Sequence, residues 1–138
     1  MAERETAEAA GRVLVVDDDR LVTMIACDVL SRAGYEVDHA YDGETAVTMF
    51  RDATPPFDAV LLDLVMPGMD GAETARRMRA IRPDFRLLIV SGHSAEFIAP
   101  RIADLSVDAV IMKPWMIDAL LEAVRRVLPV PCSGGGAD

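Results

Sequence analysis

Residues 13–19 have the sequence VLVVDDD, in which four apolar residues are followed at once by three aspartates. Three further apolar runs, at residues 59–62, 87–90 and 109–112, are equally short and do not alternate with polar residues. Continuous apolarity over so few residues is typical of strands buried on both faces of a parallel sheet. A weaker run at residues 35–40 alternates and predicts an edge strand. The sequence therefore predicts five strands.

Helical patterns lie between these runs. Gly34 follows the first pattern as a stop signal. The segment 94–105 is less regular because it contains Pro100, so we expect a loose start and a short helix from about Pro100 onward. The apolar face of the first helix comprises Val22, Ile25, Ala26, Val29, Leu30 and Ala33. Further helices are predicted at residues 42–53, 70–81 and 115–128, the last with Ile117, Leu120, Leu121, Val124, Val127 and Leu128 facing inward.

Strands that alternate with helices predict an α/β domain with a doubly wound parallel sheet and helices on both faces. The chain has 138 residues, 51% of them apolar, which suffices for one domain with its own core. We expect this domain at residues 12–128, after a disordered lead-in at 1–11 that lacks the apolar core of a signal peptide. Residues 129–138, rich in Pro and Gly, predict a flexible tail or a linker to a partner domain.

Charge and composition exclude several classes of function. The net charge of −9 disfavours binding of nucleic acids or membranes by this domain, because it repels phosphate-bearing surfaces. No apolar stretch approaches the about 20 residues that a bilayer requires. Cys27 and Cys132 form no disulfide framework or metal-ligand motif, which fits a reducing, cytoplasmic location.

Polar residues follow the apolar runs directly. Asp17, Asp18 and Asp19 follow the first run, Asp63 follows the run at 59–62, and Ser91 and Lys113 follow the last two. In an open parallel sheet the ligand crevice lies beyond the carboxyl ends of the strands. The sequence therefore predicts that carboxylates, one hydroxyl and one ammonium group meet at one edge of the sheet.

Such a cluster suits phosphoryl chemistry. Close carboxylates repel one another, and a hard divalent cation such as Mg²⁺ relieves this repulsion. Asp63 could then act as a nucleophile toward phosphorus and form an aspartyl phosphate. Lys113 and Ser91 would stabilise the charge on the outer oxygens of the transferring group. Taken singly, each feature has a structural explanation: Asp19 as a helix cap, and the Ser-Gly and Lys-Pro pairs as turns. Their common position at one edge favours the functional interpretation.

The sequence resembles the receiver domain of two-component response regulators over residues 12–128. The resemblance rests on VVDDD at 15–19, LLDLVMPGMDG at 61–71, VSG at 90–92 and MKPW at 112–115. It implies a flavodoxin-like strand order 2-1-3-4-5, a cis Lys113–Pro114 bond, and a histidine kinase or histidine phosphotransfer domain as phosphoryl donor. The chain would then be the receiver of a response regulator, with or without a linked or separate output domain, or the receiver of a hybrid histidine kinase. The site roles that it implies are Asp63 as phosphoacceptor and Mg²⁺ ligand, Asp18 as direct ligand, Asp17 as ligand through water, Val65 as ligand through its backbone carbonyl, Ser91 as switch hydroxyl and Lys113 as phosphate-binding residue.

The chain departs from the family pattern at two positions. Val110 stands three residues before Lys113, where the family often has an aromatic residue that swings inward on phosphorylation. Pro100 lies inside the helix that usually carries the change. Val65 and His93 occupy two positions that tune the loss of phosphate in the family, although on general grounds His93 is more simply a solvated loop residue.

Three alternative functions would each account for part of the sequence. A haloacid-dehalogenase type phosphatase would use Asp17 as nucleophile and Asp19 as acid, but it leaves the run at 61–71 unexplained. A flavodoxin-like FMN binder would need a Ser/Thr-rich phosphate loop after the first strand, which is missing. A receiver-like domain used only for binding would not need the complete set of acids, hydroxyl and lysine.

The first helix also suggests where a donor docks. Leu21 and Met24 fall on its outer side near the aspartates, and Pro114 follows Lys113 on a neighbouring loop. A phosphohistidine must approach Asp63 at this edge, so its helix has to pack beside it. We therefore predict that Leu21, Met24 and Pro114 form the docking surface, with ordinary surface scatter as the alternative explanation.

Overall fold

The computed structural model describes residues 11–129. Strands and helices alternate strictly along this part of the chain. The strands are β1 (Arg12–Val16), β2 (Glu36–Ala40), β3 (Ala59–Asp63), β4 (Arg86–Ser91) and β5 (Ala109–Met112). The helices are α1 (Arg20–Arg32), α2 (Gly43–Asp52), α3 (Gly71–Ile81), α4 (Ala95–Ile102) and α5 (Ile117–Val127). Apart from Gly11 and Pro129, the predicted lead-in and tail lie outside the described residues.

All the strand pairs are parallel and the order in the sheet is β2-β1-β3-β4-β5, which confirms the predicted doubly wound fold. The register sets Val16 beside Leu62, Asp63 beside Val90, and Ser91 beside Met112. Because parallel strands run in one direction, the residues that follow them emerge at one edge of the sheet.

Two apolar layers hold the helices on the sheet. On one face, even-numbered residues of β1 such as Leu14 pack with α2, α3 and α4; on the other, odd-numbered residues such as Val13 pack with α1 and α5. The alternation follows from the period of two along a strand. The predicted apolar runs inside β1, β3 and β4 are therefore buried, because both faces of these strands are covered.

The fifth strand departs from the prediction. Val110 and Met112 are 44% and 49% exposed, and only Ile111 is buried. The reason is position: β5 is an edge strand, and helix packing covers its Ile111 side, where α5 lies, more fully than its other side. Continuous apolarity here does not indicate burial on both faces.

Three helices also differ in detail from the prediction. Ile25 and Ile117, predicted to face inward, are exposed by 41% and 51% at a shared surface groove. Helix α4 begins at Ala95 rather than near Pro100, because the Ser94 side chain accepts a hydrogen bond from the backbone N–H of Phe97 and caps the helix earlier. Pro100 is accommodated inside the helix at the loss of one backbone bond.

Candidate functional site

The carboxylates predicted from the strand ends are brought together. Asp63 is the last residue of β3, and Asp17 and Asp18 follow β1 directly. One carboxylate oxygen from each of the three lies within 4.8 Å of the others. Asp17 and Asp63 are buried and Asp18 is exposed, so the cluster opens to solvent on the side of Asp18.

Lys113 reaches into this cluster from the end of β5. Its Nζ lies 3.0 Å from Asp17 Oδ2 and 3.4 Å from Asp63 Oδ2. Its backbone N–H donates to Ser91 O at 2.8 Å, which ties the loop after β5 to the end of β4. Burial opposes the charge of Lys113, but the hydrogen bonds and charges of Asp17 and Asp63 outweigh it and raise the pKa of Lys113. The ammonium group is therefore charged throughout the physiological range.

The carboxylate of Asp63 is perturbed by its surroundings. Burial, and then the neighbouring charge of Asp17, raises the pKa of Asp63 to about 6, although Lys113 acts in the opposite direction. One ammonium group thus faces three carboxylates. The site has a deficit of positive charge that a divalent cation would correct.

The loop after β1 is fixed by its own side chains. Asp17 Oδ1 accepts from the backbone N–H of Asp19 at 2.9 Å, and Asp19 Oδ1 accepts from Leu21 N at 3.0 Å, which caps α1 as predicted. The buried Thr23 hydroxyl lies 3.0 Å from the carbonyl oxygen of Asp17 and 2.9 Å from that of Asp19. Thr23 was missed from the sequence; the only available signal was a Thr one turn after a capping Asp, facing the core.

The loop after β3 is held by close backbone packing. The N–H of Gly71 donates to Leu64 O at 2.8 Å, and a Cβ atom on Gly71 would lie 2.2 Å from Asp63 O. Gly68, with φ of 76°, makes the preceding turn. Val65, the predicted carbonyl ligand, lies on this loop two residues after Asp63 and its side chain is exposed.

Ser91 is buried at the end of β4. Its Oγ accepts a hydrogen bond from the backbone N–H of His93 at 3.0 Å. Among the described residues, Ser91 Oγ makes no hydrogen bond to the side chain of Asp63 or Lys113. The peptide bond Lys113–Pro114 is cis, as the resemblance implied.

An apolar groove of about 480 Å³ lies beside the carboxylates. It runs between α1 and the loop from β5 to α5, and its polar end is formed by Asp19 and Lys113. Its apolar lining is Val22, Ile25, Pro114, Trp115 and Ile117. The predicted docking residues Leu21 and Met24 are 66% and 63% exposed on α1. None of the helices in residues 11–129 has the length and apolarity to cross a bilayer.

Comparison with known proteins points to one family. The sequence profile described as the response regulator receiver domain matches residues 13–125. The response regulator MprA of Mycolicibacterium vanbaalenii is 36% identical over 129 residues, covering 91% of this chain and 54% of the relative. MprA of Mycobacterium tuberculosis is 36% identical over 119 residues, covering 85% of the chain and 50% of the relative. The chain thus spans about half the length of these curated relatives.

Solved structures give the same result. A CheY-like receiver domain protein from Methanospirillum hungatei superposes with a TM-score of 0.80 at 28% identity, covering 86% of this chain and 93% of the other. The chemotaxis protein CheY4 of Vibrio cholerae superposes with a TM-score of 0.79 at 28% identity, covering 86% and 98%.

Proposed function

The chain belongs to the response regulator receiver domain family of two-component signalling, and we propose that Asp63 is its phosphoacceptor. The observation that carries the proposal is the buried Asp63 carboxylate at a strand end, 3.4 Å from the Lys113 ammonium group. Asp63 combines a nucleophilic oxygen with an adjacent fixed cation, which is what phosphoryl transfer to a carboxylate requires.

The donor set fits Mg²⁺. Three carboxylates with oxygens within 4.8 Å of one another offer only oxygen ligands, which a hard cation prefers. Asp18 and Asp63 would bind the ion directly, together with the backbone carbonyl of Val65. Both oxygens of Asp17 are engaged, one by Asp19 N–H and one by Lys113, so Asp17 would act through water. When bound, the ion supplies positive charge for the oxygens of the phosphoryl group.

For phosphoryl transfer, the protein then needs to position the reacting groups and to stabilise the negative charge on the phosphoryl oxygens. An Asp63 oxygen attacks the phosphorus of a phosphohistidine, a P–O bond forms, and the P–N bond to the imidazole breaks with its electron pair going to nitrogen. Lys113 holds one outer phosphoryl oxygen and the hydroxyl of Ser91 donates to another. Hydrolysis of the aspartyl phosphate by water at the same site resets the switch. The domain thus catalyses its own phosphorylation and dephosphorylation and does not act on a separate substrate.

The contacts of Asp17 and Asp19 argue against the phosphatase alternative. Asp17 would be the nucleophile, yet its two oxygens are occupied by Lys113 and by the N–H of Asp19. Asp19 would be the acid, yet its carboxylate caps α1. Asp63 ends β3, and no helix cap uses its carboxylate among the described residues.

We further propose that the donor is a histidine kinase or a histidine phosphotransfer domain in the cytoplasm. Its helix would dock on Leu21, Met24 and Pro114, along the groove that ends at Lys113. The curated relatives are about twice as long as the matched part, which supports a role for this chain with an output domain, linked or separate.

Intact-mass measurement tests the proposed acceptor. Incubation with acetyl phosphate and Mg²⁺ should add one phosphoryl group to the wild-type chain and none to Asp63→Asn. Asp19→Asn serves as the matched control and should still be labelled, because Asp19 caps a helix. Equal labelling of the wild type and Asp63→Asn would show that another residue is the acceptor.

A further inference from the structure

A column of three side chains lies beside the turn that follows β4. The rings of His93 and Phe97 stack with centroids 4.1 Å apart and an angle of 18° between their planes. Arg101 follows one helical turn later, with its Cζ 3.5 Å from the centre of the Phe97 ring. The Nη1 of Arg101 also donates to Phe97 O at 2.7 Å, which fixes the guanidinium against the ring.

The column links an exposed loop residue to the core. Phe97 is half-buried and packs against the apolar layer that holds α2, α3 and α4, whereas His93 is exposed. An exposed histidine in a loop would ordinarily be free to move. Here its ring rests on a side chain that the core holds in place, so the backbone at residue 93 is anchored through the stack.

That backbone contacts the switch hydroxyl. The N–H of His93 donates to Ser91 Oγ, and the residue between them is Gly92, where a Cβ would meet nothing closer than Lys113 Cβ at 3.7 Å. A glycine in open space gives the turn conformational freedom. Oγ keeps its own proton, for which no acceptor is found in residues 11–129, and it can accept from His93 while donating elsewhere.

We propose that His93 is a positioning residue, stacked on Phe97 to hold the Ser91–His93 turn so that the Ser91 hydroxyl is presented to a phosphoryl oxygen. Gly92 leaves the turn flexible, and the stack restrains the turn through the Phe97 side chain, which the core holds in place. Val110 supplies no aromatic ring on β5, and the stack links the turn after Ser91 to α4. This inference rests on the proposed role of Asp63 as phosphoacceptor.

The rate of labelling by acetyl phosphate with Mg²⁺ provides the test. His93→Ala and Phe97→Leu should each slow labelling about two- to tenfold, the effect expected from losing one aromatic stack. His93→Phe keeps a stacking ring without an imidazole and should restore most of the rate. His39→Ala removes a His–aromatic pair between His39 on β2 and Tyr41 just after it; this variant is the matched control and should not change the rate.

A double-mutant cycle separates positioning from general destabilisation. In the Ser91→Ala background, His93→Ala should cause almost no further loss, because the hydroxyl that it positions is gone. Mg²⁺ affinity should stay at the wild-type value in all the stack variants. An equal loss in both backgrounds, a faster rate in His93→Ala, or failure of His93→Phe to restore the rate would each overturn the inference.

These outcomes are distinct from failure of the proposed acceptor. If Asp63 is not the acceptor, the wild type and Asp63→Asn label alike, whatever the stack variants do. If only the stack inference is wrong, Asp63→Asn stays unlabelled while His93→Ala behaves as wild type or loses rate independently of Ser91.

Discussion

At the scale of single residues, the site is organised by a shortage of positive charge. Lys113 compensates part of the charge on Asp17 and Asp63, and the exposed Asp18 has no share in that contact. The raised pKa of Asp63, due first to burial and then to Asp17, is a consequence of this arrangement. Protons and divalent cations therefore both relieve the same repulsion.

This repulsion predicts a pH dependence of stability. The pKa of Asp63 is raised from 3.8 to about 6, so its contribution to stability is complete below about pH 4 and is lost as the pH rises through about 6. Asp63→Asn has no such loss. In EDTA, the free energy of unfolding of Asp63→Asn relative to wild type should therefore increase between pH 4 and pH 7, as measured by urea denaturation. A difference that is constant across this range would contradict the prediction.

A second prediction at this scale distinguishes the two aspartates after β1. Asp18 is exposed and is expected to bind Mg²⁺ directly, whereas both oxygens of Asp17 are already engaged. Asp18→Ala should weaken Mg²⁺ binding about tenfold or more, and by more than Asp17→Ala does. Titration followed by the fluorescence of Trp115, two residues past Lys113 and half-buried, measures this. The assignment fails if Asp18→Ala binds Mg²⁺ as tightly as the wild type.

Most of the site could be predicted from the sequence because strand ends and parallel pairing place Asp17, Asp63 and Lys113 at one edge without further information. The side-chain contacts that support the loops of the site could not be predicted from the sequence. Thr23 supports the first loop through its hydroxyl, and the His93–Phe97 stack depends on where α4 begins. Both are set by side-chain packing, which a one-dimensional pattern does not specify.

At the scale of the elements, burial along the strands was mispredicted for one reason. Apolar runs in β1, β3 and β4 are covered on both faces, whereas the same pattern in β5 leaves Val110 and Met112 exposed. A short apolar run does not distinguish a central strand from an edge strand. In α4, by contrast, Pro100 led to a predicted helix start that was too late in the sequence, because the cap at Ser94 determines where the helix begins.

The junction of β3 and α3 supplies a prediction about packing. A Cβ on Gly71 would lie 2.2 Å from Asp63 O and 2.8 Å from Leu64 Cα, and both are backbone atoms that yield only if the loop moves. Gly71→Ala should therefore lower the free energy of unfolding by about 1–3 kcal/mol and slow labelling of Asp63. Thermal denaturation and intact mass measure the two effects.

Gly92→Ala is the matched control for stability, since its nearest contact would be Lys113 Cβ at an ordinary 3.7 Å. Its stability should stay within about 0.5 kcal/mol of the wild type. If Gly71→Ala is equally harmless, the close approach of α3 to the acceptor loop is not a constraint on the fold.

At the scale of the whole molecule, the carboxylate cluster and an apolar surface lie at the same end of the sheet. The groove of about 480 Å³ beside α1 ends at Lys113, and Leu21 and Met24 lie exposed on the same helix. The net charge of −9 gives the remainder of the surface little affinity for polyanions. A partner that delivers a phosphoryl group to Asp63, as proposed above, would meet this apolar surface next to the Asp63 carboxylate.

This arrangement predicts that docking and chemistry can be separated. Replacing Leu21 and Met24 together by Ser should slow transfer from a phosphohistidine donor about tenfold, because a transient helix contact loses its apolar anchors. Labelling by acetyl phosphate should be unchanged, since that small donor needs no docking surface. Ile81→Ser, at an apolar residue 40% exposed at the far end of α3, is the matched control and should affect neither donor. Equal loss with both donors would mean that Leu21 and Met24 support the fold of α1 rather than a partner.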